Sequence, residues 1–451
     1  MKQRTKYILI LALLVFVLAI SAGCGIKETD VQSNNTTVSS LKEGNEVTLF
    51  EPEFSSERML DTIKLLSSKD NARITGFEGE SAAADYLVDQ FTSFGLEVSK
   101  QSFPIKAYVC DLLELKVTSD SNRVLSDAKA LSYSAATPEG GITAEIVPLG
   151  MGAESDYVGQ DVNGKIVLVQ RGGEYFYIKT ARAASKGAAA VLFYDPNSEG
   201  AISATLTQLS KIPAVSITRD VGQSFENATR EGNTVTVSLN VDITYEDATS
   251  NNIIALYKSE NNPDSKRIIV GAHYDGVDTP SANDNASGAA ALVEMAKAIS
   301  DGKVSLPYDV EFIAFGAEEI GLVGSHYYVD RLTKEDRDQI VAMLNFDMVG
   351  VGDSFDLGSA EGLVAPKLIS IARDALKDMG YFPTTSMTDR SDHAPFAQAG
   401  IDAVYIQVGP FHDYHTDLDT FEMINPERLV EVCELGTELI VKRIPEKLFS
   451  E

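Results

Sequence analysis

Cysteine is scarce in this sequence, with three residues in 451, which argues against a disulfide-stapled scaffold or an all-thiolate metal cage. Cys24 ends an N-terminal apolar run; Cys110 and Cys433 each lie among apolar neighbours and read as buried thiols. Basic residues are also short. The chain has 38 Lys and Arg against 66 Asp and Glu, a formal net charge of −28. That sign repels phosphate, so nucleic acid is not an expected partner. There is no P-loop, no dinucleotide glycine fingerprint and no repeat of solenoid period. What is present is 44% hydrophobic residues, ordinary for a globular chain and ample for a large core.

The N-terminus has its own character. Lys2, Arg4 and Lys6 precede an apolar run at 7–20, followed by Ser21, Ala22, Gly23 and Cys24. A basic start, a short apolar stretch and a small-residue end describe a secretory signal, and the run is too short for a comfortable membrane span. The small residues before Cys24 resemble a bacterial lipobox, with Ser21 where such motifs usually carry Leu. Segment 1–24 is therefore expected to be a lipoprotein signal peptide. Lipidation at Cys24 would hold the protein on the extracellular face of a bacterial cell membrane; the alternative is ordinary secretion. Segment 25–50, rich in Ser, Thr, Asn, Lys and Glu, buries too little apolar surface to offset its ordering entropy and reads as a flexible tether.

Helical periodicity covers 54–66 and 80–93, and a strand begins at 96–98. From about residue 128 short apolar runs are split by turn residues, with one helix-like stretch at 178–187 before AAAVLFY. Near residue 249 the texture changes again. The β-rich runs IIALY, RIIVGAH, VEFIAFG, AMLNFDM and AVYIQV alternate with helical stretches at 286–300, 325–332, 365–379 and 426–443. This alternation predicts an α/β domain: a mixed, largely parallel sheet flanked by helices, interrupted by a smaller β-rich insertion. The α/β domain is assigned to 51–120 and 246–451, and the insertion to 121–245. Functional residues in such sheets gather at the C-terminal ends of the strands.

Five elements at the ends of β-rich runs carry candidate chemistry. His273 closes RIIVGAH, and Asp275, two residues on, points the same way in extended structure and can hold the imidazole's second nitrogen. Asp284 in NDNASG directly precedes a helix, where a carboxylate is either an N-terminal cap or a ligand. Glu318 and Glu319 follow VEFIAFG; two adjacent acids are either solvated or costly unless a cation or proton separates them. Asp347 lies inside the apolar run AMLNFDMVG, where a carboxylate needs a partner. Tyr414 and His415 follow AVYIQV. Five such coincidences are improbable for a purely structural pattern, and two imidazoles with three acids suit a pair of zinc ions.

The series HYDG, NDNASG, EEIGLVGS, NFDMVG, SDHAPF and YHTDLDT, in this order and spacing, resembles the co-catalytic (two-zinc) aminopeptidase family. RITGFEGESAAADYLVDQFTSFGLEV is similar to the family's opening segment, and GKIVLVQRGGEYFYIKTARAASKGAAAVLFYD with IPAVSITRD is similar to a protease-associated domain. The resemblance implies a zinc exopeptidase fold binding two Zn2+ per chain. Asp284 bridges both ions, His273 and Asp347 complete one site, and Glu319 and His415 complete the other. It makes Glu318 the general base for a water activated between the ions, puts Tyr414 near the developing oxyanion, and implies a cis peptide at Asp284–Asn285. Arg390 is a candidate substrate-binding residue, and Asp392 and His393 candidate braces of the metal shell. His326 and His412 have no metal role in this reading. The expectation is an aminopeptidase acting on extracellular peptides, with two alternatives: a carboxypeptidase or dipeptidase on the same scaffold, or a non-catalytic peptide-binding lipoprotein.

Overall fold

The computed structural model describes residues 50, 52–68, 72–260, 262, 266–363 and 365–448. The segment expected to be a signal peptide, Cys24 and nearly all of the expected tether lie outside them. No helix among the described residues is long and apolar enough to cross a membrane.

Among the described residues the chain forms fourteen strands. In chain order they are β1 Glu97–Val117, β2 Arg123–Val124, β3 Lys129–Ala130, β4 Ile142–Pro148, β5 Ile166–Gln170, β6 Ala190–Tyr194, β7 Ala214–Ser216, β8 Thr236–Tyr257, β9 Arg267–His273, β10 Asp309–Phe315, β11 Ile340–Phe346, β12 Ser354–Ser359, β13 Thr384–Met387 and β14 Ala403–Gly409. The larger half of the sheet runs β13-β12-β14-β11-β9-β10-β8, with β14, β11, β9 and β10 parallel to one another and β8 antiparallel at their side. These central strands are apolar on both faces because helices cover both. Helix Gly288–Gly302 packs with Ser56–Leu66, Glu78–Ser93 and Pro426–Glu438 on one side, and Val323–Val329 and His393–Gln398 lie on the other.

The smaller half is built from β4, β5, β6 and β7, which pair in parallel, with helices Phe176–Ser185 and Arg219–Arg230 alongside. Its core is separate from that of the larger half. The two halves share one structural member, a ribbon in which β1 and β8 pair antiparallel from Glu97↔Leu256 to Val117↔Val237. The near end of β8 joins β10 and the far end joins β4. Tyr245 and Glu246, between which the sequence reading places the return to the α/β domain, are consecutive residues of this continuous strand.

The strand expected to begin at 96–98 starts at Glu97 and, paired with β8, runs to Val117. One sequence expectation changes here. Cys110 is exposed rather than buried: it sits at a bulge of the ribbon, where neither side packs into a core, whereas Cys433 is buried.

Candidate metal centre

The C-terminal ends of β9, β10, β11 and β14 meet at the floor of one cleft. His273 is the last residue of β9, Glu318 and Glu319 follow β10, Asp347 follows β11, and Tyr414 and His415 follow β14. Asp284 enters from the loop between β9 and helix Gly288–Gly302. That helix can approach the sheet only because residue 288 is glycine, since a Cβ there would lie 2.3 Å from the Phe346 carbonyl oxygen. The peptide between Asp284 and Asn285 is cis. Around the cluster several non-glycine residues adopt left-handed backbone: Ser281, Ala317 before Glu318, Met348 after Asp347, and His415 itself. Each costs on the order of 1–2 kcal/mol, and such conformations persist where surrounding contacts impose them.

The donor atoms divide into two groups about one carboxylate. Asp284 Oδ1 lies 3.2 Å from His273 Nε2, which is also 3.3 Å from Asp347 Oδ1. Asp284 Oδ2 lies 3.1 Å from His415 Nε2, which is also 3.0 Å from Glu319 Oε2. His273, Asp284 and Glu319 offer ligand atoms within 4.8 Å of one another, as do His273, Glu318 and Asp347. Glu318 is thus also close enough to act as a ligand.

The supports are as specific as the cluster. Asp275 accepts the backbone N–H of Glu318 at 3.0 Å and of Glu319 at 3.2 Å, and Thr75 Oγ1 donates to it at 2.7 Å. It also stands 3.6 Å from His273 Nδ1, within ion-pair distance, so Asp275 faces the imidazole's second nitrogen and at the same time aligns the backbone of the two glutamates. Ser391 Oγ donates to Asp347 Oδ2 at 2.7 Å and itself receives Asn345 Nδ2 at 2.6 Å. Asp419 accepts the N–H of Asn283 at 2.7 Å and of Asp284 at 3.0 Å. His393 bonds the Thr388 carbonyl and stacks on Tyr405, and burial lowers its pKa to about 4. Buried Asp392 is pushed up to about 7, chiefly by desolvation.

Too many acids share this buried space for two imidazoles to neutralise. Burial raises the Glu318 carboxyl well above its ordinary value, with neighbouring carboxylates adding to the shift, and burial also raises Glu319. Burial opposes a charge on His273 and His415, yet the carboxylates around them raise both well above the usual imidazole value. Asp284 would rise on burial, but the two imidazoles hold it below the usual carboxylate range. His273 Nδ1, Glu319 Oε1 and Asp347 Oδ1 are buried without hydrogen-bond partners. Nitrogen and oxygen donors, excess negative charge and one donor oxygen of the cluster, Asp347 Oδ1, left without a hydrogen-bond partner together fit a zinc site.

Above the floor lies a cavity of about 520 Å3 walled by both halves of the molecule. The larger half contributes Met348, Arg390, Tyr405, Gln407 and Tyr414; the smaller half contributes Arg171, Tyr175, Phe176 and Thr205. Arg171 stacks 4.1 Å from the centroid of the Tyr414 ring and pairs with Asp195 at 3.1 Å, while Arg390 stacks 4.6 Å from the centroid of Tyr175. The sequence reading missed Arg171, Tyr175 and Asp419. All three lay within quoted motifs, Asp419 in YHTDLDT and the other two in GKIVLVQRGGEYFYIK of the insertion, but nothing in the insertion's motif links its residues to the cluster.

A model of peptidase family M28 matches residues 252–440, and a PA domain model matches 142–225. Aminopeptidase YwaD of Bacillus subtilis (strain 168) is 33% identical over 414 residues, covering 87% of this chain and 86% of the relative. The chain belongs to peptidase family M28. The probable lipoprotein aminopeptidase LpqL of Mycobacterium tuberculosis is 34% identical over 293 residues, covering 63% of this chain and 56% of the relative. Among solved structures, BSAP, a zinc aminopeptidase from Bacillus subtilis, superposes with a TM-score of 0.71 at 32% identity, covering 86% of this chain and 95% of that one. In this M28 member the PA match falls in the smaller half.

Proposed function

We propose that this M28 member is a zinc-dependent aminopeptidase that removes residues from the free N-terminus of peptides, with two zinc ions per chain. The observation that carries the proposal is the division of donors about Asp284, whose two oxygens face two different imidazole–carboxylate pairs. His273, Asp347 and one oxygen of Asp284 would hold one ion; His415, Glu319 and the other oxygen would hold the second. Relatives named as aminopeptidases support the direction of attack.

When bound, the ions supply Lewis-acid polarisation of the scissile carbonyl and make the attacking water more acidic. Glu318 takes the proton of that water and returns it to the leaving amine. Asp275 aligns Glu318 and Glu319 through their backbone amides. The Tyr414 hydroxyl donates to the developing oxyanion, and Arg390 at the cleft wall contacts the substrate.

The test is zinc content together with hydrolysis of aminoacyl anilides, using free and N-acetylated substrates. About two zinc ions per chain and cleavage of the free substrates alone are expected. Equal cleavage of both substrates rejects the aminopeptidase reading and leaves a metallopeptidase; absence of zinc after reconstitution rejects the metal centre.

The same reading divides the chain into a peptidase part at 51–120 and 246–451 and a PA insertion at 121–245, and places the enzyme outside the cell, anchored by lipid on Cys24. The relative named as a lipoprotein supports the anchor. Cys24→Ser should then move the protein out of the membrane fraction or leave its signal uncleaved; unchanged partitioning with normal processing contradicts the anchor.

A further inference from the structure

The loop that carries His415 is held from both sides. On the inner side, Asp419 fixes the backbone of Asn283 and Asp284. Within the loop, the Thr416 N–H bonds the Asp413 carbonyl at 3.2 Å and the Asp419 N–H bonds the Thr416 carbonyl at 3.1 Å, so two successive turns link Asp413 to Asp419. The outer side is gripped by the insertion. The Ser203 N–H donates to the His415 carbonyl at 2.7 Å, and Ser198 Oγ donates to Asp413 Oδ1 at 2.8 Å. Lys129 Nζ reaches Asp417 Oδ1, Ser203 Oγ and the Asp278 carbonyl at 3.0, 3.1 and 3.0 Å. Gly200 lies so close that a Cβ there would stand 2.9 Å from Thr416 Cβ. Arg171, stacked on Tyr414, completes the grip.

This grip falls where the backbone needs it. His415 has φ 64°, the left-handed region that a side-chain-bearing residue adopts at a cost on the order of 1–2 kcal/mol. Its carbonyl is fixed by an amide from the other half of the molecule, more than 200 residues earlier in the chain, so the conformation that aims the imidazole inward depends on that contact.

We infer that the inserted domain is a positioning element of the metal centre: segment 198–203 and Lys129 hold loop 413–419 so that His415 and, through Asp419, Asp284 present their donors to the second ion. The inference rests on the two-zinc reading of the cluster. Neither Ser198, Gly200 nor Lys129 reaches the donor cluster; they act through the loop. Outer supports of metal ligands typically change affinity by about 10-fold to 100-fold.

The test compares wild type with two variants, the double substitution Lys129→Met/Ser198→Ala, which removes side-chain bonds, and Gly200→Val, which wedges the loop. Zinc affinities are read by competition with a chromophoric chelator, alongside kcat, KM and melting temperature of the full-length protein. The expected result is one zinc bound with near wild-type affinity and the other weakened about 10-fold or more, with activity recovered at high zinc. A merely structural role would lower the melting temperature and leave both affinities unchanged, and that outcome overturns the inference. If Gly200→Val does not fold, the double variant decides alone. Wild type that binds no second zinc overturns the two-zinc reading and this inference with it. Two wild-type affinities retained in the double variant reject only the inference.

Discussion

The two halves of the molecule use the same device for different chemistry. In each, parallel strands bring their C-terminal ends to the cleft: β9, β10, β11 and β14 on one side, β5 and β6 on the other. The larger half ends its strands in buried carboxylates and imidazoles. The insertion ends its strands in Arg171 and Asp195 and continues into hydroxyl-bearing loops. Their buried charges contrast as well. The larger half concentrates acids beyond what its own bases can neutralise, whereas the insertion buries one cation, Lys179, and satisfies it with the Gln170 and Gly172 carbonyls at 2.8 and 2.5 Å. Architecture thus brings strand ends to a common place, and the side chains there decide what the place can do.

The largest effect on this contrast should come from Asp284→Ala. Removing the acid shared by the two donor groups is expected to cost both zinc ions and reduce hydrolysis to background, while His415→Ala should cost mainly one. Elemental analysis of the two variants checks this; equal zinc loss from both would contradict the division about Asp284.

A smaller effect is expected in the insertion. Lys179 supports the carbonyls on either side of Arg171, and burial lowers its pKa to about 8. The unfolded chain therefore binds more protons than the folded one between pH about 8 and about 10.5, and stability from this group rises with pH across that window. Lys179→Met removes the contribution. The difference in melting temperature between wild type and variant should shift in favour of wild type from pH 8 to 10, and a flat difference would contradict the assignment.

The centre was legible in the sequence because its residues lie in short motifs at the ends of apolar runs, and a carboxylate such as Asp347 inside AMLNFDMVG has no ordinary explanation. Its supports were less legible. Asp275 was expected beside His273, where it lies, but its spacing in an extended strand carries no information about Glu318 and Glu319, whose amides arrive from beyond the neighbouring β10. The length of the β1–β8 ribbon escaped because its alternation, clear at Phe103, Ile105 and Ala107, lapses around the bulge near Cys110, where the thiol expected in a core is exposed. The grip of Ser198 and Ser203 on the His415 loop depends on tertiary contact across more than 200 residues and leaves no local signature.

The central claim is that adjacent glutamates do different work, Glu318 moving the proton and Glu319 holding metal. Both are buried, and both stand within reach of the donor cluster. The most direct measurement is zinc content with the rate of aminoacyl-anilide hydrolysis in Glu318→Gln and Glu319→Gln. Glu318→Gln should retain about two zinc ions and lose roughly 10²–10⁴ in kcat, the typical cost of removing a general acid–base group. Glu319→Gln should lose zinc along with activity. Full turnover in Glu318→Gln, or loss of zinc from it comparable to that of Glu319→Gln, would contradict the account.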